Sequence, residues 1–188
     1  MLRFLTPRFG PEWATKWACS DIGDVTVRRM QQPTTITSVL VAGFAVYQGK
    51  AVFQVLADRM DAAPGLQVTM YLNVDRKPHD VTVTSDLLRE FAHRFRSQQW
   101  PGKRRPDVYY DVRALATHQP GVKRASLHAK CVVVDGHRSF VTSANFTEAA
   151  QDRNIEVGVL VESRAIASSI EEQFRRLVKR GILAALPP

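Results

Sequence analysis

Between Ile36 and Val74 two apolar runs bracket one amphipathic stretch, and this order restricts the fold more than any other feature of the chain. Ile36 to Val46 is rich in β-branched and apolar residues, which suits a strand buried on both faces. Gly49 and Lys50 then open a stretch with Val52, Val55, Leu56 and Met60 on one side of a helix. Pro64-Gly65 ends it, and Gln67 to Val74 reads as a second buried strand. Two buried strands joined through a helix form a βαβ unit, whose strands are parallel and covered on both faces.

The pattern continues down the chain. Ser85 and Asp86 can cap a helix that places Leu87, Leu88, Phe91 and Phe95 on one face, ended by Trp100-Pro101-Gly102. Asp107 to Val112 reads as a strand. Leu127 to Val134 and Ser139 to Val141 read as short strands joined by the turn Asp135-Gly136-His137, and Asn154 to Val161 as a further strand. A last helix runs from Arg164 to Arg180, with Ile166, Ile170, Phe174 and Leu177 on one face and Gly181 past its end. An early βαβαβ run followed by a strand-rich half predicts an α/β sandwich, a mixed and mostly parallel sheet flanked by helices.

A chain of 188 residues favours one domain. Residues 1–35 have no persuasive period, although Trp13 and Trp17 are one helical turn apart, so they read as an N-terminal extension to a single domain over 36–188. The longest apolar run, Val39 to Tyr47, is too short to span a bilayer, and the N-terminus lacks the pattern of a secretory signal. A cytoplasmic protein is therefore expected. Cys19 and Cys131 lack metal-ligand spacing and read as reduced thiols in preference to a disulfide.

Lys and Arg number 26 against 18 Asp and Glu, for a net charge of +8. Such an excess favours a polyanionic partner, nucleic acid or an anionic lipid surface. Lys103, Arg104, Arg105, Arg113, Lys123 and Arg124 concentrate the charge against only Asp107 and Asp111. They are the candidate nucleic-acid-binding residues, with a solvated loop face as the alternative.

The chemistry-bearing segment runs from Ser126 to Phe146. On a strand, His128 and Lys130 project from one face while Leu127, Ala129, Cys131 and Val133 project from the other. A His and a Lys together on an apolar strand are costly to bury, and an anion held between them would account for both. Asp135 follows in the spacing H-x-K-x4-D, then Thr142-Ser143-Ala144-Asn145, then Asn154-x-Glu156.

These residues resemble the phospholipase D superfamily, whose signature is H-x-K-x4-D followed by x6-G-S-x-N. The likeness is tight over residues 126–161 and extends by element order over 36–180. Thr142 departs from it, standing where the family usually has Gly, and a side chain there predicts crowding where backbone approaches phosphate. The resemblance implies His128 as a nucleophile forming a phosphohistidine. Lys130, Ser143 and Asn145 would hold the non-bridging phosphate oxygens, Glu156 would hydrogen-bond the far nitrogen of His128, and Asp135 would orient or balance charge nearby. Asp135 serves equally as the start of a turn before Gly136. No metal and no cofactor is implied.

The mechanism that the resemblance implies needs two histidines, and His79, His93, His118 and His137 lack the companion lysine. Single-motif chains of the superfamily pair across a two-fold axis, so a homodimer is expected. Its substrate class is read first as DNA or RNA, by a metal-independent nuclease. The alternatives are a non-catalytic nucleic-acid-binding module, within a larger complex like the phospholipase D-like component of phage-defence systems, and a phospholipid phosphodiesterase. The last needs a membrane-lying amphipathic helix, which is not evident, so a membrane partner is not expected.

Overall fold

The computed structural model describes residues 2–5, 36–77, 79–116, 124–147 and 154–188. Trp13, Trp17, Cys19, His118 and Lys123 lie outside them.

The core is an eight-stranded sheet in the order β1-β7-β6-β5-β2-β3-β4-β8. Its strands are β1 Leu2–Leu5, β2 Ser38–Gly43, β3 Gln67–Leu72, β4 Asp107–Asp111, β5 Cys131–Val134, β6 Arg138–Thr142, β7 Gly158–Glu162 and β8 Leu183–Ala185. The expected βαβ unit is there. Parallel β2 and β3 are joined through helix α1, Gly49–Ala62, and β3 pairs parallel with β4 through α2, Thr84–Arg94, and a π turn, Phe95–Gln99.

The sheet is mixed, but its balance is not mostly parallel. Only β2-β3 and β3-β4 are parallel, while β1-β7, β7-β6, β6-β5, β5-β2 and β4-β8 are antiparallel. The reason is connection length. Asp135 and Gly136, both at positive φ, turn β5 back into β6 within three residues, far too few for the crossover a parallel neighbour needs.

Alternation on the central strands explains why both faces are covered. Val39 and Val41 of β2 join Val52, Phe53, Leu56 and Met60 of α1 in one core. Leu40 and Ala42 point the other way, to Ala167 and Phe174 of helix α3, Arg164–Lys179. That helix is capped by Ser163, whose hydroxyl accepts from the Ile166 amide, and closed by Gly181 at φ 68°. Helix α2 starts at Thr84 with no side-chain cap, so Ser85 and Asp86 sit inside its first turn. Cys131 is a free, buried thiol in the α3-side core, and burial pushes its pKa up to about 11.

The N-terminal extension contributes to this same sheet: Leu2–Leu5 pairs with β7 as the edge strand. Among the described residues, no helix is long and apolar enough to cross a membrane.

Candidate active site

Strand directions decide which residues can meet. Because β5 is antiparallel to β2 and β6, its N-terminal end lies beside the C-terminal ends of both, and β7 starts at that same end. Residues just before β5, just after β2 and β6, and just before β7 therefore gather at one end of the sheet. These are His128 and Lys130, Phe44, Ser143 and Asn145, and Glu156.

The ladder of β5 begins only at Cys131, four residues later than the apolar run from Leu127 suggests. Residues 126–130 are irregular but tied down. The Leu127 amide donates to Asn73 Oδ1 at 3.1 Å, just past the end of β3, and the Lys130 carbonyl accepts from the Thr142 amide at 3.0 Å. The result separates the expected pair by exposure. His128 is exposed, whereas Lys130 is only 7% exposed. The Lys130 ammonium lies 3.3 Å from both ring nitrogens of His128 and donates to its carbonyl at 3.0 Å. The Phe44 ring packs against both, 4.7 Å from the imidazole by centroids and 5.4 Å from Nζ. A cation held beside an imidazole and within reach of an aromatic ring keeps a charge in a place that a strand core would reject.

Across from it, the Ser143 hydroxyl hydrogen-bonds Glu156 and accepts from the Val157 amide at 3.0 Å. Glu156 also accepts from Asn154 Nδ2 at 3.3 Å. Its carboxylate thus engages Ser143 and Asn154, and not the far nitrogen of His128. Asn145 Oδ1 is buried without a hydrogen-bond partner among the described residues. Thr142 is less of an obstacle than a side chain at a glycine position suggests. Its hydroxyl donates to the Val157 carbonyl and accepts from the Ala144 amide, both at 3.1 Å, so it is folded back onto local backbone.

Asp135 is the clear departure. It stands beyond the other end of β5, separated from Lys130 by four strand residues that each advance about 3.3 Å. Its Oδ1 accepts from the Thr37 amide at 2.8 Å, the Thr37 hydroxyl at 3.0 Å and the Ser38 amide at 3.1 Å. Asp135 therefore clamps the start of β2 to the β5–β6 turn and takes no part at the His128 end.

The basic residues also divide. Lys103, Arg104 and Arg105 precede β4, at the Asp135 end of the sheet. The Arg104 guanidinium donates to the carbonyls of Met60, Ala63 and Leu66, closing off the end of α1, while Lys103 and Arg105 are exposed. Arg113 is at the His128 end, but both of its guanidinium arms face Asp111, with Nη2 at 2.7 Å from Oδ2. Burial pushes the Asp111 carboxyl up, and the hydrogen bonds from Arg113 outweigh it, leaving the pKa lowered. Arg124 donates to the Arg76 carbonyl.

Arg76 went unnoticed in the sequence. It is 2% exposed, and its guanidinium donates to the carbonyls of Leu115, Asp80 and Thr82 and to the Thr84 hydroxyl. One side chain thus laces three segments beside the site. Only its position two residues past the apolar run that ends at Val74 hinted at a role. Among the described residues, no group of three or more His, Cys, Asp or Glu comes together to hold a metal ion.

The fold and the paired His128-Lys130 and Ser143-Asn145 segments define a phospholipase D-like domain. The chain belongs to that family: the family described as "Cardiolipin synthase, PLD-like domain" matches residues 29–178. Among solved structures it is similar to Nuc, a phospholipase D family member from Salmonella typhimurium, at 14% identity and TM-score 0.56, covering 100% of this chain and 99% of that one. NucT from Helicobacter pylori is similar at 11% identity and TM-score 0.57, with the same coverage. Phosphatidylserine synthase from Haemophilus influenzae Rd KW20 is similar at 16% identity and TM-score 0.53, over 88% of this chain and 37% of that one. At these identities the likeness is one of fold. No curated protein sequence matches the chain significantly.

Proposed function

We propose that the chain is a metal-independent phosphodiesterase, a nuclease that works through a phosphohistidine at a site shared between two copies. The observation that carries this is the buried Lys130 ammonium held 3.3 Å from the exposed imidazole of His128. A fixed cation beside an accessible nucleophile is what an incoming phosphodiester dianionic transition state requires. A ring nitrogen of His128 attacks phosphorus and the bond to the leaving oxygen breaks. The partner subunit's His128 gives that oxygen its proton. The same imidazole then takes a proton from water, whose oxygen attacks phosphorus and breaks the P–N bond. Lys130, Ser143 and Asn145 hold the non-bridging oxygens. Turning the Asn145 amide over replaces its unpaired Oδ1 with an NH2 donor suited to that task. Glu156 orients Ser143.

Pairing is supported by an apolar margin at this end of the sheet. Val141 is 46% exposed, Val157 54% and Ile155 93%, next to Ser143 and Glu156. The net charge of +8 favours nucleic acid, with one negative charge per phosphate, over a substrate with a single phosphodiester.

The direct test is hydrolysis of bis-p-nitrophenyl phosphate in EDTA. Wild type turns it over and His128→Asn does not; a need for magnesium would sink the proposed chemistry. Mixed dimers test sharing. When wild type and His128→Asn are co-refolded, activity falls as the square of the wild-type fraction if two His128 side chains serve one site. A linear fall places the whole site within one chain.

A second reading is a nucleic-acid-binding module without turnover. It is favoured by Glu156, which occupies the Ser143 hydroxyl rather than supporting His128. It predicts binding that weakens steeply with salt and no hydrolysis by a well-folded dimer. A larger defence complex would be the setting for it.

A further inference from the structure

The site end of the sheet opens sideways into a second concavity. Between the loop after β2 and helix α2 lies a cleft of about 610 Å³, within the range that holds a small organic group. Phe44 is part of its wall, so the cleft begins at the ring that touches His128 and Lys130. Tyr47 stands at its margin and is 67% exposed. Its placement is not accidental to the site: the Tyr47 amide donates to the Phe146 carbonyl at 3.2 Å, and Val46 pairs with Phe146, the residue directly after Asn145. The backbone that fixes Asn145 therefore also fixes Tyr47. On the opposite wall the half-buried Phe91 ring carries the Arg94 guanidinium 5.8 Å above its centre.

The charges in the cleft do not suit a phosphate track. Asp75, Asp80 and Glu90 line it against Lys77 and Arg94, so the walls carry more negative than positive charge. A polyanion backbone would be repelled there. A flat, uncharged ring with a polar edge meets all of these walls: its faces stack on aromatic carbon, and its edge exchanges hydrogen bonds with carboxylates, amides and guanidinium.

We propose that this cleft receives a nucleobase adjoining the phosphate at His128, so that the chain takes unpaired rather than fully duplexed nucleic acid. This rests on the nuclease reading of the site. A base inside a duplex cannot leave its stack to enter the cleft without loss of pairing, whereas a single strand offers its bases freely.

The test separates the base from the backbone. Full-length His128→Asn is titrated, at low salt, with a fluorescent single-stranded oligonucleotide and with the same strand carrying abasic residues at its centre. The abasic strand binds about tenfold more weakly, the size expected for loss of one stacked base. Tyr47→Ala in the same background removes most of that difference, and Tyr47→Phe keeps it. Equal binding of the two strands overturns the inference, as does a difference that survives Tyr47→Ala. Absence of binding to either strand overturns it too. Turnover of bis-p-nitrophenyl phosphate by the wild type then reports separately whether the phosphodiesterase reading stands.

Discussion

Lys130 and Gly43 show how differently single residues serve this molecule. Lys130 is buried at a cost that only its neighbours and a bound anion can offset. Lys130→Met keeps the aliphatic stem and removes the charge. It is expected to lower turnover of bis-p-nitrophenyl phosphate by about 10²-fold or more, while the thermal midpoint holds or rises. Gly43 acts through the absence of a side chain. A Cβ there would stand 2.5 Å from the Phe146 ring. Gly43→Ala is expected to cost about 1–3 kcal/mol in urea unfolding, and adding Phe146→Leu recovers part of it. Cys131 offers a third case. With a thiol held near 11 against an ordinary value of about 8.5, it should resist iodoacetamide at pH 8 in the native Cys19→Ser protein and react on unfolding. The sign of the linkage follows: the folded state favours the neutral thiol, so this stabilisation is complete below pH 8.5 and lost as pH rises towards 11. At this scale the sequence read well where chemistry is unusual. A His and a Lys two apart demand an explanation, and the structure brings them together. Of the two roles read for Asp135, the start of the turn before Gly136 is the one it fills, since the strand between it and Lys130 carries it away from His128.

Elements carry the site by ending where they do. Helix α1 is legible from Val52, Val55, Leu56 and Met60 because a helix buries one stripe, and it forms over Gly49–Ala62 with Val52, Leu56 and Met60 buried, while Val55 falls outside the stripe and is exposed. Its end was not legible. Arg104, from a distant basic run, donates to three carbonyls there, so a residue read as a nucleic-acid contact is a helix terminator. Arg104→Ala should cost about 1–3 kcal/mol in stability. The double variant Lys103→Ala, Arg105→Ala, at the end of the sheet away from His128, should leave the salt dependence of oligonucleotide binding unchanged. A lower slope would return that run to the binding surface. Short edge strands were equally hidden. Leu2–Leu5 and Leu183–Ala185 are strands through the neighbours they pair with, and neither is long enough to show a period.

For the molecule as a whole, the layering was visible from β2 alone, whose unbroken apolar run needs cover on both faces and has it. The proportion of parallel to antiparallel pairs was not, because a hairpin and a crossover differ only in the few residues between strands. The strand order has a mechanical consequence. The two edges of the sheet are β1 and β8, and each runs so that Leu2 and Ala185 lie towards the end where Asp135 turns the chain. Tension applied at these two residues pulls across seven inter-strand spacings of about 4.8 Å, at right angles to the strands. Such a load falls on one ladder hydrogen bond at a time, each worth about 1 kcal/mol net, and never on a row of them in shear. In an optical trap the protein should therefore peel open from both edges at low force. Handles attached instead at opposite ends of the central strands would meet far stiffer resistance.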